Sequence, residues 1–248
     1  MRRLVPAVAG HCVGALVSRR DGFAEPYWTT RAFCAKSVQL GATLMEHSSV
    51  TAIERKHHLW RVRCGETVYE AAIVVNCSGA WGDSIAAMIG DTILLQAEAP
   101  TMMVTQRVSH FLNSVVGLAS RKLLFKQMPN GSVVIGVSHR SRLVMTTERT
   151  IIDFKKLMIS AQTVIDVFPI MQSVSVIRCW AGIEGIIPDQ FPVIGRGPSA
   201  PGIFYAFGFS AHGFQLGPVV GKIMADLVTE GRTEFPIEAF RADRFTSE

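Results

Sequence analysis

The stretch Gly202-Ile-Phe-Tyr-Ala-Phe-Gly-Phe-Ser-Ala-His-Gly-Phe-Gln-Leu-Gly-Pro-Val219 decides how the rest of the chain is read. Ile203 to Ala206 have the unbroken apolar character of a buried strand. Gly208 and Gly213 then punctuate a loop, and a helix follows. Its apolar face carries Val219, Val220, Ile223, Met224, Leu227 and Val228, and Gly231 closes it. A strand, a glycine-bearing loop and a helix start make a nest of backbone N–H donors that holds an anion or an electron-rich ring edge. Spacing alone also allows, and slightly favours, an ordinary strand-turn-helix whose glycines serve tight turns.

Two further stretches have the same ambiguity. Ala71-Ala-Ile-Val-Val75 is an apolar run of strand type that ends in Asn76-Cys-Ser-Gly-Ala-Trp-Gly82, after which Ser84 to Ile89 read as a short helix. Small residues at such a turn let a ligand approach the backbone, and Trp81 either packs on that ligand or plugs the core. The segment Arg178-Cys-Trp-Ala-Gly-Ile-Glu-Gly-Ile-Ile-Pro-Asp-Gln-Phe-Pro-Val-Ile-Gly195 is dense in Pro and Gly before a strand at Pro192 to Ile194. It reads as a shaped loop in which Arg178, Glu184 and Asp189 either face a site or are merely solvated.

Outward from these, the opening to Pro26 shows no periodicity and is read as a loop-rich lead-in ending at the turn pair Asp21-Gly22. Thr29 to Leu40 have helical spacing, with Thr29 or Thr30 to cap and Gly41 to stop. Extended segments are expected at 43–45, 49–53, 59–63 and 67–69, and several strands between Ile93 and Val137 with a hairpin turn at Pro129-Asn-Gly131. Glu148 to Phe168 predict an amphipathic helix and Val174 to Cys179 a strand. The order of elements describes an α/β domain with an α+β part inserted. There is no internal repeat.

The chain's 248 residues, 48% apolar, suffice for one large domain or two modest ones. A charged fraction of 18% is below the roughly 25% of ordinary soluble domains. That points to elements buried on both faces, or to surfaces that something else covers. The formal charge of +5 is scattered rather than gathered into a stripe, which argues against nucleic acid as the partner. Cys12, Cys34, Cys64, Cys77 and Cys179 are odd in number and form no C-x-x-C pair, so they read as reduced thiols. No metal-ligand spacing, signal peptide or membrane span is found, and a cytoplasmic location is the default expectation.

Taken together and in order, the three stretches resemble the D-amino-acid oxidase superfamily of FAD-dependent oxidoreductases. Pro6, Val13-Gly-Ala15, Asp21-Gly22 and the segment from Gly41 to Ile53 are similar to it as well, so the resemblance covers nearly the whole chain. Within the superfamily, Trp180-Ala-Gly-Ile-Glu-Gly185 with Pro188-Asp189, and Phe207 to Gly217, look most like the FAD-bearing subunits of opine oxidases and D-hydroxyproline dehydrogenases. The resemblance implies a partial glutathione-reductase-type FAD-binding domain at 1–91, a mostly antiparallel substrate-binding domain at 92–190, and a return to the FAD domain at 191–248. It puts Val50 beside the adenine end of FAD and Ser78, Gly79 and Trp81 along the cofactor. Gly208, Ser210, His212, Gly213, Phe214 and Gln215 would surround the isoalloxazine ring. Arg178, Trp180 and Glu184 would meet the substrate. His212 either donates near the flavin or packs in its turn, and Arg178 either faces the substrate or sits in a structural ion pair.

The implied activity is oxidation of the C–N bond of an amino acid, imino acid or opine by hydride transfer to flavin N5. The flavin carries that chemistry, so no dedicated catalytic side chain is assigned. Where simple amino-acid oxidases of this group often place an arginine for the substrate carboxylate, this chain has Glu184, which favours a cationic or secondary-amine substrate. The family's G-x-G-x-x-G turn has no counterpart, since Gly10, Gly14 and Gly22 do not fit that spacing. The expectation is therefore a chain lacking roughly a hundred N-terminal residues, the length of the first βαβ unit with its continuation. Its partners would be a separate N-terminal segment, or other subunits, one of them bearing an iron–sulfur cluster. The competing expectation is a truncated, non-catalytic remnant or interaction module that keeps the fold without flavin.

Overall fold

A computed structural model describes residues 3–10, 12–136 and 139–245. The chain forms two units, one combining Met1–Glu25 with Glu98–Ile183, the other Pro26–Ala97 with Glu184–Glu248. The lead-in thus clusters with the inserted part rather than with 26–91. Val5 is buried among Met103, Leu112 and Phe168, and the Ala9 amide donates to the Val167 carbonyl.

The second unit opens with α1 (Pro26–Gln39). It starts three residues before the predicted Thr29, because proline's fixed φ suits a first helical position. Three antiparallel strands follow, β1 (Val50–Lys56), β2 (Leu59–Cys64) and β3 (Thr67–Ala71). Residues 43–45, expected to be extended, form no strand. The apolar run at 71–75 is divided between two sheets. Ala71 pairs with Trp60 in the antiparallel sheet, whereas β4 (Val74–Asn76) joins a different one, so the chain changes sheets at 72–73. Then come α2 (Gly82–Ala87) and the short β5 (Gln96–Glu98).

The first unit is built on β6 (Thr101–Arg107), β7 (Val116–Gly117), β8 (Leu124–Gln127) and β9 (Ser132–Gly136). The expected hairpin joins β8 to β9, with Gly131 at φ +91° and only 2.7 Å between an added Cβ and the Val108 carbonyl oxygen. A side chain there is excluded twice over. After β10 (Arg142–Val144) and β11 (Arg149–Ile151), α3 runs from Phe154–Val167. The helix predicted from Glu148 is shorter because Arg149–Ile151 pairs with β10, and Asp153 caps the helix by accepting from the Lys155 and Lys156 amides. With β12 (Val176–Ala181) the sheet order is β12-β6-β9-β8-β7. Met103, Phe125, Val133 and Ile135 share a core with Leu157, Val164 and Phe168. Phe125 stacks on Phe168 at 4.5 Å.

The chain returns to the second unit through β13 (Glu184–Ile186), paired with β5, then β14 (Val193–Arg196), β15 (Ile203–Phe207) and α4 (Gly213–Thr229). β15 lies between β14, antiparallel to it, and β4, parallel to it. It is buried on both faces, as its unbroken apolar sequence requires. Ile203, Tyr205 and Phe207 pack with Ile53, Trp60 and Ala86. Phe204 and Ala206 pack with Val220, Ile223, Met224 and Leu227 of α4. α4 starts at Gly213, inside the glycine-bearing loop, and contains Pro218, whose missing N–H leaves the Phe214 carbonyl without its helical donor. The expected combination of α/β and α+β elements is therefore present.

Candidate functional site

The second unit brings two of the singled-out stretches to one edge of a sheet. Because β4 and β15 are parallel, with Val75 opposite Phe204 and Asn76 opposite Tyr205, their carboxyl ends emerge side by side. Each leads through a turn into a helix, the position at which α/β sheets bind ligands.

At the first turn, Asn76 is buried, and its amide nitrogen donates to the Gly82 carbonyl at 2.9 Å. Its oxygen accepts from the Ser78 amide at 3.1 Å and the Ser78 hydroxyl at 2.6 Å. Ser78 is thus turned into the turn it helps to build. Gly79 follows at φ +61° with open space where a Cβ would stand, so its backbone is approachable from outside. The Trp81 amide closes the turn onto the Ser78 carbonyl. Gly82 is obligatory for another reason, because a Cβ there would enter the Phe207 ring.

At the second turn, Gly208 has φ +71°, and an added Cβ would come within 2.6 Å of Ile187 Cγ1. Ser210 and Ala211 follow in left-handed conformations at φ +47° and +74°, unusual for residues with a Cβ. His212 Nδ1 lies 2.7 Å from the Ser210 carbonyl oxygen, which only accepts, so Nδ1 carries a proton. His212 precedes α4 without a side-chain cap, and the first turn of this 17-residue helix contains no acidic residue. The amides of Gly213, Phe214 and Gln215 have no intrahelical acceptor, and the helix dipole places its positive end there. Ala211, His212, Phe214 and Gln215 are exposed, whereas Gly208 and Ser210 are buried.

β13 connects the two turns. A Cβ on Gly185 would meet the Ala80 Cα and the Gly79 carbonyl oxygen, both at 3.1 Å. On the other side the Gly185 carbonyl accepts the Ser210 amide at 3.2 Å. Glu184, half-buried, is its immediate neighbour on that strand. The sequence reading assigned no role to Asn76, Gly82 or Gly185. An amide side chain where a strand ends in Ser-Gly is a visible sign of an Asx turn, whereas the close approaches at Gly82 and Gly185 have no local sequence signal.

The other singled-out residues lie elsewhere. Val50 begins β1 and packs against the core around Ile53 and Trp60, in a different sheet from the two turns. Arg178 and Trp180 belong to β12 of the first unit, with the Arg178 guanidinium 5.8 Å from the Trp180 ring centroid. Among the described residues no carboxylate pairs with Arg178. Asp189, one of the loop's three charged groups, is engaged by Arg244 at 2.8 and 3.3 Å. Hydrogen bonding from that guanidinium holds its carboxyl below the usual carboxylate range, and it is a structural anchor. Among the described residues no group of His, Cys, Asp and Glu has the geometry to hold a metal ion. Among the described residues no helix is long and apolar enough to cross a membrane.

A family model described as FAD dependent oxidoreductase matches residues 1–227. Glycine oxidase of Bacillus licheniformis is 28% identical over 254 residues, which cover 98% of this chain and 64% of that protein. Hydrogen cyanide synthase subunit HcnC of Pseudomonas aeruginosa is 27% identical, covering 100% of this chain and 59% of its own. The crystal structure of L-proline dehydrogenase from P. horikoshii superposes with a TM-score of 0.89 at 26% identity, over 99% of this chain and 66% of that one. The chain therefore spans about three-fifths of the length of the curated relatives it matches.

Proposed function

The chain belongs to the family of FAD-dependent oxidoreductases, and from that premise we propose that its second unit holds the ring system of FAD for oxidation of a C–N bond in a small amino acid, imino acid or opine. The observation that carries this reading is the pairing of the 79–82 and 208–213 turns at the carboxyl edge of β4 and β15. The residues present fit the cofactor. Gly79 leaves its backbone open, and the start of α4 offers N–H donors and an uncompensated positive dipole end. Such donors suit the electron-rich edge of a ring that becomes more negative on reduction. FAD, when bound, supplies the acceptor for the hydride leaving the carbon beside the substrate nitrogen.

In this reading the chain's own groups position and stabilise. The Gly213, Phe214 and Gln215 amides face the ring edge, with His212 beside them to donate near the flavin or to pack in its turn. Val50 lies toward the adenine end. Glu184 repels the carboxylate of a plain α-amino acid at that spot and attracts a cationic nitrogen, favouring a secondary amine. The imine left by loss of the hydride and the nitrogen proton is hydrolysed by water. A relative named as a subunit supports the expectation that further chains join this one.

The test is an absorbance spectrum after incubation with excess FAD and desalting, for the chain alone and with a Gly-rich dinucleotide-binding segment supplied in trans. Retained bands near about 375 and 450 nm, the cofactor's own, followed by turnover of an imino acid or opine with an artificial electron acceptor, are the expected result. Absence of flavin in both arms overturns the proposal and favours a module that keeps the fold without the cofactor.

A further inference from the structure

We propose that the Ser210 hydroxyl is the latch that locks the 208–213 loop onto β13 and thereby sets how the α4 amides meet the flavin, an inference that rests on the FAD reading above. Ser210 is 5% exposed, so its side chain faces the protein rather than a ligand. Its Oγ accepts the Ile187 amide at 3.1 Å and lies 3.4 Å from the Gly208 carbonyl, to which it donates. Its own amide donates to the Gly185 carbonyl.

Two consecutive non-glycine residues in the left-handed region persist only where the surroundings over-determine them. Here the determination comes from one side. A Cβ at Gly208 would clash with Ile187, and Ser210 is held by its amide to Gly185 of β13 and by its hydroxyl to Ile187, the residue that follows the strand. Ala211 and His212, beyond the latch, have no such anchor to β13 among the described residues, and both are exposed. The same strand seats the 79–80 turn through Gly185. The hydroxyl therefore adds a side-chain tie to the backbone bond at Gly185 that links the two turns, and it acts by position rather than by touching the reacting atoms. Without it the amide of Ile187, a fully buried residue, is left without an acceptor.

Hydrogen exchange of the full chain, read together with FAD affinity and the visible spectrum, tests this in wild type, S210A and S210G. In wild type the 187 and 210 amides are protected. Both variants are expected to exchange roughly tenfold faster at 185–187 and 208–215, with β6 and β9 unchanged. They are also expected to bind FAD about tenfold more weakly, with the fine structure of the 450 nm band blurred. S210G relieves the left-handed strain without restoring the hydroxyl, so it stays informative if S210A folds poorly. Wild-type exchange in both variants, recovery in S210G alone, or loosened exchange with unchanged FAD affinity and spectrum each overturns the latch. If wild type shows the exchange contrast with its variants yet holds no flavin even with the Gly-rich segment supplied in trans, the FAD reading fails and the latch stands as an organiser of the loop.

Discussion

Tyr205 shows what a buried polar group requires in this chain. It is fully buried, and its phenol donates to Asp91, a carboxylate 3% exposed that also accepts the Ser199 amide at 3.1 Å and the Ser199 hydroxyl. Burial first, and the neighbouring carboxylate second, push the phenol far above its ordinary value. A folded-state pKa raised above the unfolded one means stability that is complete below about pH 10 and lost as pH climbs past it. Tyr205→Phe should cost about 1–3 kcal/mol at neutral pH and flatten the decline in stability between pH 9 and 11. Urea midpoints across that range decide it, and an unchanged alkaline slope counts against the assignment. Glu184 belongs to the same scale. Glu184→Gln should retain FAD but lose roughly 10- to 100-fold in kcat/KM on a secondary amine, the size of one charge-assisted contact. Undiminished turnover on that substrate removes Glu184 from substrate recognition.

Among the elements, α1 is the one whose sequence and surroundings disagree. It has 14 residues, none of them buried, and Tyr27, Trp28, Phe33 and Val38 are all exposed. Isolated helices of about 12–15 residues are marginal in water. Its amides should exchange within about tenfold of the unstructured rate, whereas α4, whose Val220, Ile223 and Leu227 are buried against β15, is protected. Exchange mass spectrometry over 26–39 is the check, and protection equal to that of α4 means that something covers α1. The strand β4 has a related property. Among the described residues it pairs with β15 on one side, yet Val74 and Val75 are apolar and Val75 is exposed. That is the low-charge composition seen at closer range.

At the scale of the whole molecule, each unit has its own apolar core, one around the Phe125–Phe168 stack and one on either face of β15. The strand at 203–206, the hairpin turn at Gly131, the amphipathic patterns of α3 and α4 and the family resemblance were all legible in the sequence, because each depends on a local period or a local turn preference. Element ends were less legible. The Asp153 cap and the β10–β11 pairing shorten α3, and the first residues of α4 depend on a loop clamped from another strand. The site was legible as two glycine-bearing turns, whereas the inward direction of the Ser210 hydroxyl was not. The sequence by itself determined which segments are strands and helices and which turns need glycine, since those preferences belong to single residues and their near neighbours. Only the tertiary structure decided that β13 joins the 79–80 turn to the 208–213 loop and that Asp189 is taken by Arg244. Contacts between residues more than a hundred positions apart, such as Gly185 with Gly79, come from sheet pairing and close packing, which no local pattern encodes.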